Sequence, residues 1–203
     1  GAVYCSSEDA DTLSLASRFG AAPLRRTVGY GDRSPDIKWV QEAVFQLGIR
    51  PEAVIAILRP TSPFRSAATI RRAFNVWEET ALTHAASSLR AVRRVAEHPL
   101  KMWLLDWGTG LMNPLQPFSG RLTSRDHSWP TQSLPEVYVQ TGGIELAWAE
   151  VSLEGGSIAG ERVMPFIVDG PEALDINTEW DWRVAEWLLE SGQLSADRGP
   201  AGE

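Results

Sequence analysis

Apolar and polar positions along this chain fall into blocks that switch between the period of a strand and the period of a helix. Val54-Ile55-Ala56-Ile57-Leu58 is an unbroken apolar run, too short for a helix and closed off by Pro51 and Pro60. Such a run predicts a parallel strand over residues 53–58, in mid-sheet and buried on both faces. Ahead of it, Ala2-Val3-Tyr4-Cys5 reads as a short strand. Ser6-Ser7-Glu8-Asp9 then opens a helix whose apolar side is Leu13, Leu15, Ala16 and Phe19 before Gly20 stops it. A turn-rich stretch over 28–35 precedes a helix over about 37–47, where Val40, Ala43, Val44 and Leu47 recur at helical spacing. A helix over 67–79 and a strand over 83–92 follow. This alternation predicts an α/β protein built on a doubly wound parallel sheet.

From residue 102 to 137 the pattern changes to aromatic sequence punctuated by Pro, Gly and Ser, with Trp103, Trp107, Phe118 and Trp129 and no helical period. That aromatic content argues for a long ordered excursion or a small β lobe, because disordered segments are poor in aromatics. Strand character returns in Val137-Tyr138-Val139, over 144–148 and over 163–168. The clearest helix comes last: Thr178-Glu179-Trp180-Asp181 is a capping box, and Val184, Ala185, Leu188 and Leu189 share one side after it. We therefore expect one domain over residues 1–190, a lobe inserted at about 102–148, and a polar, frayed tail over 191–203. The lobe's tryptophans, Trp103, Trp107, Trp129 and Trp148, are more than an isolated excursion of that size readily buries, which predicts an interface between two copies of the chain.

With 203 residues, 43% hydrophobic and 22% charged, the chain has the composition of a soluble globular protein able to bury one good core. A net charge of −7 argues against a general nucleic-acid binder, which needs a surplus of Lys and Arg to neutralise phosphates, but leaves room for a local cationic pocket. No stretch approaches the roughly 18 apolar residues of a membrane span, and no charged-then-apolar leader marks export. The single cysteine, Cys5, permits no internal disulfide and no Cys-based zinc site. Together these features set the expectation of a cytoplasmic protein. His84, His98 and His127 stand apart, without the spacing of metal ligands.

Candidate chemistry lies at two places. The apolar run empties into Arg59-Pro60-Thr61-Ser62-Pro63-Phe64-Arg65, which sets two hydroxyls and two guanidiniums on a Pro-stiffened backbone. Ligands of open α/β sheets sit beyond the carboxyl ends of the strands, so this loop reads as a site for something phosphorylated. It also reads as an ordinary turn in which Thr61 or Ser62 caps the next helix. The second place is Leu174-Asp175-Ile176-Asn177-Thr178, just ahead of the capped helix. At a strand end, Asp175 and Asn177 would fall on one side, about 6 to 7 Å apart at their backbones, where both can face one ion. An oxygen-only pair suits Mg²⁺; alternatively Asp175 only ends a strand and caps the helix.

These segments together resemble the acylneuraminate cytidylyltransferases. The residues that carry the resemblance are Cys5-Ser6-Ser7-Glu8-Asp9, Asp32-Arg33-Ser34-Pro35, the Arg59 to Arg65 loop, His98-Pro99-Leu100-Lys101, Leu134-Pro135-Glu136-Val137-Tyr138-Val139-Gln140-Thr141-Gly142-Gly143, and Leu174-Asp175-Ile176-Asn177-Thr178-Glu179-Trp180-Asp181-Trp182. They occur in the family's order and spacing across residues 1 to about 190. The resemblance implies a Rossmann-like, three-layer nucleotidyltransferase fold, Mg²⁺ dependence, and a homodimer formed largely through the lobe. It implies that CTP and a nonulosonic, sialic-acid-like sugar acid give a CMP-sugar and pyrophosphate. Carried over position by position, Asp175 and Asn177 would hold the metal, and Arg25, Asp32, Ser34, Thr61 and Ser62 would bind the nucleotide. Arg59, Lys101, Gln140 and Thr141 would bind the sugar acid, with Arg65, Lys101 and Asp175 at the reacting groups.

The chain departs from the family pattern at three points. The family's first strand and glycine-rich triphosphate loop lie upstream of the strand at Ala2, so the chain as given is expected to bind CTP weakly and to make little CMP-sugar. Asn177 stands in place of a second acidic ligand, and Thr141 in place of an asparagine before Gly142. Two other functions remain open: a nucleotidyltransferase that joins another nucleotide to a sugar phosphate, and a non-catalytic homologue that dimerises or binds ligand.

Overall fold

The computed structural model describes residues 1–31, 34–81, 86–115, 126–154 and 156–192. Asp32, the expected strand start at Thr83, part of the expected lobe over 116–125 and the tail beyond Gly192 lie outside the described residues. Along the chain run β1 (Tyr4–Ser7), α1 (Ala10–Arg18), β2 (Ala22–Arg25), α2 (Asp36–Gln46), β3 (Val54–Ile57), α3 (Ala67–Ala81) and β4 (Ser88–Arg94). Then come β5 (Trp103–Asp106), β6 (Leu111–Pro114), β7 (Tyr138–Trp148), α4 (Ala149–Leu153), β8 (Val163–Ile167) and α5 (Glu179–Glu190). The described strands form a sheet in the order β3-β7-β4-β8 and two pairs, β1-β2 and β5-β6. No described helix is long and apolar enough to cross a membrane.

Contacts cluster into two compact units, each assembled from three stretches of chain. The first comprises Gly1–Leu58, Arg71–Arg90 and Ile144–Pro165. Its β1 and β2 run parallel with Tyr4 opposite Ala22, joined through α1 as a crossover helix requires. Asp9 caps α1, its carboxylate accepting from the Thr12 backbone N–H at 2.7 Å. Val40 and Val44 of α2, Ala149 of α4 and Ile158 form the core, and Ile55 and Ile57 of β3 pack against it.

The apolar run at 54–58 does form a strand, but not the one expected. β3 pairs antiparallel with β7, Val54 opposite Trp148 and Ile57 opposite Glu145, and stands last in the order of its sheet. Ile55 and Ile57 reach the core, while Ala56 between them is exposed. The reason is the twofold period of a strand: an all-apolar run fits equally a strand covered on both faces or one whose second face is half open. Its partner also differs from expectation. β7 is one strand of 11 residues that continues through Thr141-Gly142-Gly143, where the sequence reads as two separate pieces.

The second unit comprises Arg59–Ile70, Ala91–Gly143 and Phe166–Glu203. Here β5 and β6 form an antiparallel hairpin, its turn held by the Asp106 carboxylate accepting from the Gly108 N–H at 2.9 Å, with Gly110 at φ +70°. His98 is buried and holds the turn ahead of β5. Its Nδ1 accepts from the Leu100 N–H at 3.2 Å, which makes Nε2 the protonated nitrogen that donates to the Pro135 carbonyl at 2.9 Å. At α5 the capping box is complete: Thr178 Oγ1 accepts from the Asp181 N–H, and Asp181 Oδ2 accepts from the Thr178 N–H.

Candidate active site

The loop after β3 is fixed by backbone contacts rather than by helix capping. Ser66, not Thr61 or Ser62, caps α3, its Oγ accepting from the Thr69 N–H at 3.0 Å. Arg65 turns back, and its Nη1 donates to the Arg59 carbonyl at 3.2 Å and to the Gly143 carbonyl at 2.6 Å. A guanidinium expected to face phosphate is therefore a clasp between the loop and β7, and burial pulls its pKa below the usual arginine value. Ser62 is 2% exposed and its Oγ has no hydrogen-bond partner. The Thr61 carbonyl accepts from the Ile176 N–H at 2.8 Å, which ties the loop to the segment carrying Asp175.

That segment is not a strand end. Residues 174–177 are irregular backbone between the 3-10 turn Gly170–Ala173 and α5. Asp175 and Asn177 nonetheless meet, with Asn177 Nδ2 donating to Asp175 Oδ2 and to the Asp175 carbonyl, each at 3.3 Å. Asn177 thus restrains the Asp175 carboxylate through its amide nitrogen. The other oxygen, Oδ1, is buried without a hydrogen-bond partner. It faces Gly142: a Cβ at that glycine would lie 3.0 Å from Asp175 Oδ1, 3.1 Å from Arg59 Cδ and 3.2 Å from Thr61 Oγ1. The missing side chain of Gly142 leaves the room in which these three groups converge.

Asp175 also borders a cleft of about 810 Å³ between the end of β4, the start of β7 and the 169–188 region. Gln140, Thr141, Asn177, Arg93 and Arg94 line it, with Val184 and Leu188 as an apolar wall. Thr141 is buried and donates from Oγ1 to the Ala91 carbonyl at 3.5 Å, whereas Gln140 is exposed. The Thr178 hydroxyl and the N–H groups of Asn177 and Thr178 hold the Asp181 carboxyl below its ordinary pKa.

Of the residues singled out from the sequence, the structure thus gathers Arg59, Thr61, Arg65, Gln140, Thr141, Asp175 and Asn177 in one unit around Gly142 and the cleft. Lys101 belongs to the same unit but sits exposed in the 3-10 turn before β5 and does not line the cleft. Arg25 is exposed at the end of β2 and Ser34 precedes α2; both lie in the first unit. Asp32 lies outside the described residues. Gly142 and Arg93 stand at this site without having been singled out from the sequence, since one has no side chain and the other is one of three arginines on β4.

Mg²⁺ fits this donor set. A hard cation takes oxygen, and Asp175 offers a buried, unpartnered carboxylate oxygen. Among the described residues no three His, Cys, Asp or Glu side chains gather as a metal site, so the remaining ligands would be water and substrate phosphate, as is usual for this ion.

No protein-family model matches the sequence. The CMP-N,N'-diacetyllegionaminic acid synthase of Legionella pneumophila is 25% identical over 197 residues, covering 94% of this chain and 79% of that protein. This chain is related in sequence to the CMP-nonulosonic acid cytidylyltransferases. Post-translational flagellin modification protein B of Campylobacter coli is 25% identical over 139 residues, or 68% of this chain, which spans about half (54%) of that relative. Among solved structures, CMP:2-keto-3-deoxy-manno-octonic acid synthetase complexed with CTP aligns with a TM-score of 0.61 at 10% identity, covering 96% of this chain and 82% of that one. The 4-diphosphocytidyl-2C-methyl-D-erythritol synthase of Anaerococcus prevotii aligns with a TM-score of 0.54 at 11% identity, covering 92% and 80%. At those identities the structures establish the fold: a mixed-sheet, Rossmann-like α/β nucleotidyltransferase fold.

Proposed function

We propose that this chain carries the catalytic machinery of a cytidylyltransferase that activates a nonulosonic, sialic-acid-like sugar acid with CTP. The observation that supports this most directly is Asp175, whose unpartnered carboxylate oxygen converges with Arg59 and Thr61 at Gly142 and which as a residue borders the Arg- and Gln-lined cleft. In this reading the anomeric hydroxyl oxygen of the sugar acid attacks the α-phosphorus of CTP, the bond to the pyrophosphate oxygen breaks, and the hydroxyl proton passes to water. The protein's work is positioning and neutralisation of charge. Asp175 holds Mg²⁺, oriented by Asn177; the ion, when bound, offsets the negative charge of the phosphates. Arg59 moves in this reading from the sugar-acid side to the nucleotide side with Thr61 and Ser62, because it converges with Thr61 and Asp175 at Gly142 and does not line the cleft. Arg65 keeps that loop against β7, and Gln140 and Thr141 face the sugar acid.

The deciding experiment assays the complete gene product for pyrophosphate release from CTP, with N,N'-diacetyllegionaminic acid as acceptor. Release that requires both substrates is expected. Release only from another nucleotide with a sugar phosphate, or none at all, would overturn the reading.

Gly142→Ala gives a finer test. The new Cβ leaves the backbone unstrained but pushes on Asp175, Arg59 and Thr61 by a few tenths of an ångström. Turnover should fall roughly 10- to 100-fold, as misplacement of reacting groups does. The thermal midpoint should move by only a few degrees. Unchanged turnover would show that the convergence at Gly142 is not catalytic.

A homodimer through the β5–β6 hairpin completes the proposal. Trp107 is 88% exposed, and Leu104, Leu105, Leu111 and Met112 are exposed around it. Apolar surface of this kind fits an interface. Trp103 packs instead on His127 at 4.8 Å, and Trp148 on Trp77 at 5.3 Å, so of the lobe's four tryptophans Trp107 in the hairpin and Trp129 outside it carry the exposed surface. Sedimentation at micromolar concentration is expected to give twice the chain mass, and Trp107→Asp to shift it to the monomer.

A further inference from the structure

Three arginines stand on β4, and their circumstances differ. Arg90 is paired with Glu145 at 2.9 Å, and Arg94 is exposed and paired with Glu136 at 3.4 Å. Arg93 is half-buried, on the side of the strand that also carries the fully buried Ala91, and it lines the cleft beside Asp175 and Gln140. Its charge reaches Asp181, whose Oδ2 already accepts from the Asn177 N–H, the Thr178 N–H and the Thr178 hydroxyl at 2.8 to 3.1 Å, and Asp169, Asp175 and Asp181 line the cleft together with Arg93 and Arg94. Among the described residues Arg93 is in no hydrogen bond or close ion pair, and it is a half-buried residue that lines the cleft. Its planar fork matches an anion of the right shape, and a carboxylate fits it bidentately.

Resting on the proposed function, we infer that Arg93 is the residue that recognises the carboxylate of the sugar acid and thereby selects acidic over neutral sugars. The anion is the acceptor's carboxylate rather than a CTP phosphate, because the Arg59, Thr61, Ser62 and Arg65 side chains do not line this cleft and Asp175 stands between the two groups. Val139, Val184 and Leu188 supply apolar surface for the body of the sugar. Lys101, the cation suggested by family resemblance, does not line the cleft.

The test is titration calorimetry on the complete gene product with N,N'-diacetyllegionaminic acid, its C1 carboxamide, and CTP as separate probes. The parent should bind the acid more tightly than the carboxamide. Arg93→Gln should weaken the acid roughly 10- to 100-fold, the range of a lost charge-assisted hydrogen-bond pair, and leave the carboxamide and CTP unchanged. Arg93→Lys should recover only part of the loss, because it restores the charge without the fork. If Arg93→Gln binds the acid as the parent does, the inference is overturned and the functional reading stands. If Arg93→Gln loses CTP instead, the anion is a phosphate and the inference is overturned. If the parent binds neither the acid nor CTP, the functional reading falls and takes this one with it.

Discussion

Replacing Arg90 by methionine is expected to lower the stability of the fold by about 3 to 5 kcal/mol, the loss typical when one partner of a buried ion pair is removed. Arg90 and Glu145 lie on β4 and β7, adjacent in the four-stranded sheet, with Nη1 and Oε2 at 2.9 Å and side chains only 12% and 4% exposed. Glu145 sits opposite Ile57 and is only 4% exposed, so once the Arg90 charge is removed water cannot compensate its carboxylate. Methionine keeps the length and apolar stem of the arginine and removes only the charge and the donors, which separates the electrostatic loss from a cavity. Arg90 Nε has no hydrogen-bond partner, so the pair is not ideally satisfied. The double variant Arg90→Met with Glu145→Leu should therefore regain most of the lost stability, since apolar replacements of buried pairs are often neutral or better. Urea unfolding reads both effects as shifts of the midpoint at constant slope. A loss below about 1 kcal/mol for Arg90→Met would mean that the pair behaves like one on the surface.

Glu145 also marks what the sequence could and could not disclose. Its place in Ile144-Glu145-Leu146-Ala147-Trp148 identifies a strand, yet nothing local says that its neighbours are β3 and β4 or that Arg90 waits opposite. Local signals were legible. The capping box at Thr178 and the helices α2 and α3 stand within two residues of where the pattern puts them, because caps and helical periods act within a turn or two. Strand partners are not legible, since pairing joins residues far apart in sequence, and the apolar run of β3 suggests a parallel, central strand where the sheet has it antiparallel and last in order. The site divides in the same way. Asp175 and Asn177 were found from spacing and do meet, but the donor is the Asn177 amide. Arg65 has the charge expected of a phosphate ligand, and its Nη1 donates to two carbonyls. Gly142 acts only through atoms it lacks, and such a role becomes visible once Asp175, Arg59 and Thr61 are folded around it.

Asp175→Asn should cut CMP-sugar formation by the complete gene product about a thousandfold or more, equivalent to roughly 4 kcal/mol of transition-state stabilisation. Oδ1 of Asp175 is a buried anionic oxygen with no hydrogen-bond partner, and Asn177 is neutral, so the substitution removes the only formal negative charge that this pair can offer a divalent cation. The fold loses little. An amide is isosteric, its oxygen can still accept from Asn177 Nδ2, and the Ile176 N–H bond to the Thr61 carbonyl is backbone and untouched. The two readouts should therefore separate: the unfolding midpoint stays within a few degrees of the parent while turnover collapses. Raising Mg²⁺ should recover part of the loss, because weakened binding of an ion is offset by its concentration, and a carboxylate needed only for packing would show no such dependence. Parental turnover in Asp175→Asn would remove Asp175 from the chemistry and leave it as a contact of Asn177 ahead of α5.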